Sequence, residues 1–277
     1  MFQRRLLLST KCFVRNFGQP AAQTHPHLLQ EGEVTPGINK AEYRSRRNKL
    51  MEKIAQSGRA LTNSNHIVII PSAPKVYMSH DIPYPFRQNT DFMYLSGFLE
   101  PDSVLVLEAS SDNLPDHKAT LFVPKKDAHK ELWEGARSGI DGAITLTGVD
   151  DACNTEDLQT YLATYRKSHP SAMVWYEYKK PIHLSFHMKL LSDFIRENTF
   201  GFLESPKNLL QQLRLKKSTA ERQLMYRSNQ IASHAFEKTM LFSRAGINEA
   251  DLYAKVDYEC RIGGAEQLAY PPVVAGM

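Results

Sequence analysis

The chain has 277 residues, 42% of them hydrophobic and 10% aromatic, which is enough for one or two packed cores and argues against disorder. Its net charge of +4 sits in the leader: Arg4, Arg5, Lys11 and Arg15 fall in the first thirty residues, which hold no acid, and removing these four from 34 basic residues leaves 30 against 30 acidic. A neutral body without a basic stripe argues against nucleic acid as a ligand, and no apolar run reaches the length of a membrane span.

The opening stretch "MFQRRLLLSTKCFVRNFGQPAAQ" is basic, acid-free and able to set Phe2, Leu6, Phe13 and Phe17 against Arg4, Lys11 and Arg15. That is how a mitochondrial transit peptide reads, so residues 1–17 are expected to be a leader and the protein mitochondrial. Arg15-Asn16-Phe17 before Gly18 is the candidate processing point. Residues 18–38, rich in Pro, Gly, Gln and His, read as a linker.

Ordered structure is expected from Asn39, which stands at capping-box spacing from Glu42. Tyr43, Arg47, Leu50, Met51 and Ile54 share one helical face up to Gly58. The period then changes. Short β-branched or aromatic runs at 66–70, 92–98, 103–109, 119–124 and 173–178, bounded by Pro, Gly, Asp and Asn, predict strands. Helices are predicted at about 127–136, 155–167 and 185–197, giving a mixed α/β domain over 39–205.

A second domain is expected over 206–277. "STAE" at 218–221 is a capping box opening a helix with Leu224, Ile231 and Ala235, and with Ala232, Phe236 and Met240, on adjoining rows. Asn248 caps a further helix carrying Leu252, Val256 and Cys260. Tyr270-Pro271-Pro272 leads into Val273-Val274, a β-branched pair that predicts a strand.

Self-sufficient catalytic groupings are missing from this pattern. There is no G-x-S-x-G elbow and no phosphate loop. His183 and His187 stand four apart without the Glu of a zinc helix and read as surface histidines. Asp150-Asp151 reads as a solvated helix start. Cys12, Cys153 and Cys260 are widely spaced and indicate free thiols. Trp133, flanked by Glu131, Glu134 and Arg137, reads as a residue that caps a site or meets a partner rather than as core.

"YPFRQNTDFMYLSGFLEPDSVLVLEA", "FVPKKDAHKELWEGARSG" and "GAEQLAYPPVVAG", in this order, resemble the aminopeptidase P family, the Xaa-Pro aminopeptidases. The resemblance implies an α/β fold: a creatinase-type N-terminal domain, then the first helices of a pita-bread metallopeptidase domain. It implies removal of an N-terminal residue preceding proline, with peptides bearing proline at the second position as substrates and a homo-oligomer as the assembly. It also implies two Mn²⁺ ions held by two Asp, one His and two Glu, all downstream of the "YPPVVAG" stretch. The sequence ends at Met277, so no metal ligand is carried over and the chain is expected to be a C-terminally truncated form, inactive alone. Tyr270 matches a substrate-proximal tyrosine, and Asp81 and Trp133 match residues that reach a neighbouring subunit's active site in bacterial relatives. An alternative is a non-catalytic assembly module pairing with full-length subunits. A creatinase- or prolidase-like hydrolase fits the motifs less well.

Overall fold

The computed structural model describes residues 17–57, 65–196 and 203–275. The leader expectation for residues 1–16 lies outside them. The chain divides into two compact units that meet at Lys216 and Lys217.

The first unit takes in the stretch expected to be a linker. Gln19, Ala21, Leu29 and Val34 are buried, and β1 (Glu33–Thr35) pairs antiparallel with β2 (Ile38–Asn39). The Pro and Gly content that suggested a linker makes turns here, and the apolar residues between the turns find the core. In α1 (Lys40–Gln56) the Asn39 Oδ1 accepts the Glu42 N–H at 2.8 Å. Tyr43, Arg47, Leu50, Met51 and Ile54 all turn inward, on the face that the period predicts.

β3 (Asn65–Pro71) is followed by α2 (Thr90–Ser96), not by a strand. The aromatic run at 92–98 predicted β structure. Asn89 overrides it by capping the Asp91 N–H at 3.1 Å, and Gly97 closes the turn at φ +68°. β4 (Val104–Ser110) and β5 (Lys118–Val123) are strands as expected. α3 (Ala128–Glu134), α4 (Gly139–Thr147) and β6 (Asp151–Asn154) follow. Asp150-Asp151 thus begins a strand rather than a helix: Asp150 Oδ2 accepts the Ala119 N–H at 2.7 Å, and Asp151 pairs with Lys118 at 2.9 Å. Next come α5 (Leu158–Ser168) and β7 (Met173–Trp175). The helix expected at 185–197 is broken into α6 (Leu184–Phe186), a π-turn at His187–Leu191 and α7 (Ser192–Arg196). β8 (Leu203–Glu204) and α8 (Lys207–Leu215) complete the unit.

The six-stranded sheet runs β6-β5-β4-β3-β7-β8. Its centre is antiparallel, β3 against β4 and β4 against β5, while β6, β7 and β8 join in parallel. Alternate residues of each strand enter different cores, because successive side chains point to opposite faces. Val68, Ile70, Leu105 and Leu107 pack with Leu50, Ile54, Phe92 and Leu146 on one side. Ile67, Ile69, Val104 and Val106 pack with Leu158, Leu162, Tyr165 and Phe194 on the other. With helices over both faces the central strands read as unbroken apolar runs.

α8 belongs to this unit although a new domain was expected from residue 206. Leu210 is buried, Lys53 Nζ donates to Gln212 Oε1 at 3.0 Å, and Arg214 pairs with Asp91 at 2.6 Å. In the second unit α9 (Thr219–Phe242) opens with the predicted capping box at Ser218, and α10 (Glu249–Ile262) is capped by Asn248 as expected, there too through a capping box with Asp251. Ala235, Val256 and Cys260 form their core. Phe236 and Met240 of the expected apolar row are 63% and 68% exposed. The Val273-Val274 pair is irregular backbone rather than a strand.

Candidate functional site

Between β3 and α2 the chain leaves the sheet and returns through two amide side chains. Gln88 Oε1 accepts the Ala73 N–H at 2.8 Å, while its Nε2 donates to the Phe98 and Glu100 carbonyls at 3.3 and 2.9 Å. Asn89 Nδ2 donates to the Pro71 carbonyl at 2.8 Å. This clasp closes the neck of a loop that folds on itself as a small hairpin. Met78 N–H donates to Ile82 O and Tyr84 N–H to Val76 O, each at 2.9 Å. Asp81 sits at the hairpin's tip, exposed, with Val76, Met78, Ile82 and Tyr84 also exposed around it.

Glu134, at the end of α3, ties that hairpin down. Its carboxylate accepts the Tyr77 hydroxyl at 3.2 Å and pairs with Arg137 at 3.0 Å and Lys75 at 3.7 Å. Burial pushes the Glu134 carboxyl up, but the Arg137 hydrogen bond, the Lys75 and Arg137 charges and the Tyr77 hydroxyl outweigh it and hold it below the ordinary value. At the other end of α3, Asp127 Oδ1 caps the His129 and Lys130 amides at 3.0 and 3.2 Å, and these two bonds lower its pKa. No residue of α3 is buried. Leu132 and Trp133 stand 77% and 80% exposed, so the helix is fixed by its ends and presents an aromatic outward.

A cleft of about 750 Å³ lies beside this assembly, lined by Lys75 and Tyr77 of the hairpin, Lys130, Glu131 and Glu134 of α3, and Asp102 and Phe186 opposite. Its far wall is set by His183, which is buried, not at the surface as expected. His183 Nε2 lies 2.9 Å from Asp102 Oδ1, its Nδ1 accepts the Phe186 N–H at 3.2 Å, and its ring stacks on Phe186 with centroids 3.7 Å apart. Because Nδ1 accepts, the ring proton is on Nε2 and is donated to Asp102. Asp102 reaches this position from a left-handed backbone conformation, φ +56°. His187 Nδ1 instead lies 3.1 Å from the Tyr176 hydroxyl, so the two histidines have separate partners. The burial of His183 was not legible, because its partner Asp102 is distant in sequence, while His187 is only half-buried.

The structure therefore brings Asp81 and Trp133 onto two elements joined through Glu134. Tyr270, 71% exposed, belongs to the second unit. Among the described residues no three or more His, Cys, Asp or Glu side chains converge as a metal group. No chemical step is assigned to a metal here. Among the described residues no helix is long and apolar enough to cross a membrane.

Residues 43–175 match the aminopeptidase P N-terminal domain. Xaa-Pro aminopeptidase 3 of Rattus norvegicus is 48% identical over 265 residues, covering 95% of this chain and 52% of that protein. The mitochondrial intermediate cleaving peptidase 55 of Arabidopsis thaliana is 37% identical over 263 residues, covering 95% and 50%. Among solved structures, Icp55 of Saccharomyces cerevisiae superposes with a TM-score of 0.72 at 30% identity, over 88% of this chain and 52% of that one. The low-pH form of Escherichia coli aminopeptidase P gives 0.72 at 26% identity, over 84% and 52%. The chain spans about half the length of the curated relatives it matches.

Proposed function

Since this chain belongs to the aminopeptidase P family, we propose that it is the substrate-admitting half of a mitochondrial Xaa-Pro aminopeptidase. In this reading the first unit supplies the wall of the peptide channel, and α9 and α10 begin the catalytic domain. The peptide bond before proline is a tertiary amide without an N–H, so a cleft that admits it must recognise shape and apolar surface. The exposed hairpin and Trp133 offer both. Asp81 and Trp133 are assigned to the substrate channel of a neighbouring subunit in a homo-oligomer, and Tyr270 to contact with the substrate. In the family two Mn²⁺ ions supply a metal-activated water. In this reading the chain alone is assigned no turnover.

The carrying observation is the 48% identity with Xaa-Pro aminopeptidase 3 across 95% of this chain. Mitochondrial placement is supported by the basic leader and by the name of the Arabidopsis relative. The test is an assay of residues 18–277 with excess Mn²⁺ and an Xaa-Pro peptide. No turnover above a metal-free blank is expected, and turnover would overturn the assignment.

A second reading, an assembly module that pairs with full-length subunits without catalysing anything itself, is favoured by the outward Leu132, Trp133 and hairpin. Mixing the chain with a full-length relative separates the two. Co-migration in size-exclusion chromatography with altered turnover supports the module, and independent migration removes it.

A further inference from the structure

The sequence places a candidate cut between Phe17 and Gly18, and the fold has built something at that point. Glu100, on the turn before β4, is 3% exposed, and its Oε1 accepts the Ser138 N–H at 2.9 Å. Burial pushes the Glu100 carboxyl up, against the hydroxyl and amide of Ser138, the Arg137 charge and the Gly18 amide. Arg137 itself is engaged by Glu134 at 3.0 Å. Among the described residues no Lys, Arg or His forms an ion pair with Glu100.

Gly18 closes over this carboxylate. Its N–H donates to Ser138 Oγ at 3.1 Å. A β-carbon built on it would lie 2.5 Å from Glu100 Cδ and Oε1 and 2.7 Å from the Ala136 carbonyl oxygen, so no other residue fits. A carboxylate and a hydroxyl thus both face the Gly18 amide, which has a single proton to give. An ammonium has three. The chain is locked from this point on: the Gln19 side chain, 5% exposed, donates to Val34 O and Gly97 O and accepts the Leu99 N–H at 2.7 Å. Phe17 is half-buried, beside Gly142 and against the core, and Gly18 itself is exposed.

We propose that Glu100 and Ser138 form a receptor for a new N-terminus at Gly18, created by proteolytic removal of residues 1–17. Water adds across the Phe17–Gly18 amide under a separate peptidase, leaving a carboxylate on Phe17 and an amine on Gly18. The amine takes up a proton and pairs with Glu100 when the cut chain folds. A lone buried carboxylate then becomes one half of an ion pair with its remaining acceptor positions filled. The proposal rests on the leader reading above for the cut, whereas the receptor can be tested without it.

The test uses residues 18–277 released from an N-terminal ubiquitin fusion, compared with the same chain acetylated at Gly18 to restore a neutral amide. The α-amine pKa, read by pH-dependent reductive methylation, should rise by about one unit above the ordinary 7.7–8.0, a tenfold shift in protonation. The sign follows: a raised amine pKa stabilises the fold fully below pH of about 7.7 and loses that effect as pH climbs through the folded value. The free-amine chain should therefore melt above the acetylated chain at pH 7, and the difference should vanish at high pH. Glu100→Gln should return the amine to its ordinary pKa, and if that variant does not fold, the pKa in the unaltered sequence decides alone. An ordinary pKa, or equal melting of free and acetylated chains, overturns the receptor. N-terminal sequencing of the mature protein should begin at Gly18, and a start at Phe17 or later than Gly18 overturns the cut. A reporter carrying residues 1–40 that stays cytosolic removes the mitochondrial reading and leaves the amine measurement standing on its own.

Discussion

At the scale of single residues, Trp133 and its neighbour Glu134 have opposite consequences. Trp133 is 80% exposed and packs no core, so Trp133→Ala should leave stability within about 0.5 kcal/mol. In a full-length relative the equivalent change should lower peptide turnover without altering metal content. A lowered melting temperature with unchanged turnover per folded molecule would contradict that role. Glu134→Gln removes the charge that gathers Lys75, Arg137 and Tyr77. Its stability cost should be small, about 0.5–1 kcal/mol after solvent screening, and concentrated in the hairpin. Because the Glu134 pKa is depressed, the anchoring is present above its ordinary 4.5 and fades as pH falls through the lower folded value. Hydrogen-exchange protection over residues 76–84, taken relative to the intrinsic rate at each pH, should therefore fall on acidification, and fall already at pH 7 in Glu134→Gln. The outward setting of Trp133 was legible because charged neighbours flank it in sequence. The hub beside it was not, since Tyr77 lies 57 positions before Glu134, with Lys75 two residues earlier still. His183 was hidden for the same reason, its partner Asp102 lying 81 positions away.

At the scale of elements, the arginines of α1 show why α2 is a helix. Arg46 Nη1 donates to the Tyr94 carbonyl at 3.2 Å and Arg47 Nη1 to the Leu95 carbonyl at 3.0 Å, two groups that the end of a helix leaves without partners. Arg47 is 2% exposed, and burial lowers its pKa to about 10. Arg47→Ala should cost about 2–4 kcal/mol, combining a core void with an unsatisfied carbonyl, as read by denaturant unfolding. Gly97→Ala should cost a similar amount. At φ +68° its β-carbon would meet Val34 Cγ1 at 2.6 Å and Tyr43 Cζ at 2.7 Å. Loss of less than 1 kcal/mol would mean that α2 ends otherwise than described. β3, β4 and β5 were legible because continuous apolar runs bounded by turns identify strands covered on both faces. The helix α2 is hidden in the sequence because Phe92, Tyr94 and Phe98 alternate as in a strand, and only the Asn89 cap opposes them. α4 went unseen because its glycines weaken every helical signal, yet Gly142 and Ala143 are what let it pack closely.

At the scale of the whole molecule, the placement of α8 sets where the first unit can be cut. A chain ending at Lys216 should melt cooperatively, whereas one ending at residue 205 loses buried Leu210 and the Arg214–Asp91 pair. The shorter chain should be weaker by about 2–4 kcal/mol, and equal melting would return the boundary to 205. The boundary expected at 205 gives way to 216 because only the tertiary contacts of α8 tie it to the first unit. The Gln88 and Asn89 clasp has a reach of its own. It fastens the loop's two ends to Pro71 and Ala73 through bonds that do not involve any residue in between. The exposed hairpin tip from 78 to 84 is thereby held apart from the sheet: substitutions there do not reach the core, and exchanging that tip for the one of a relative should leave the melting temperature untouched. The protein carries, in effect, an exchangeable tip on a fixed socket.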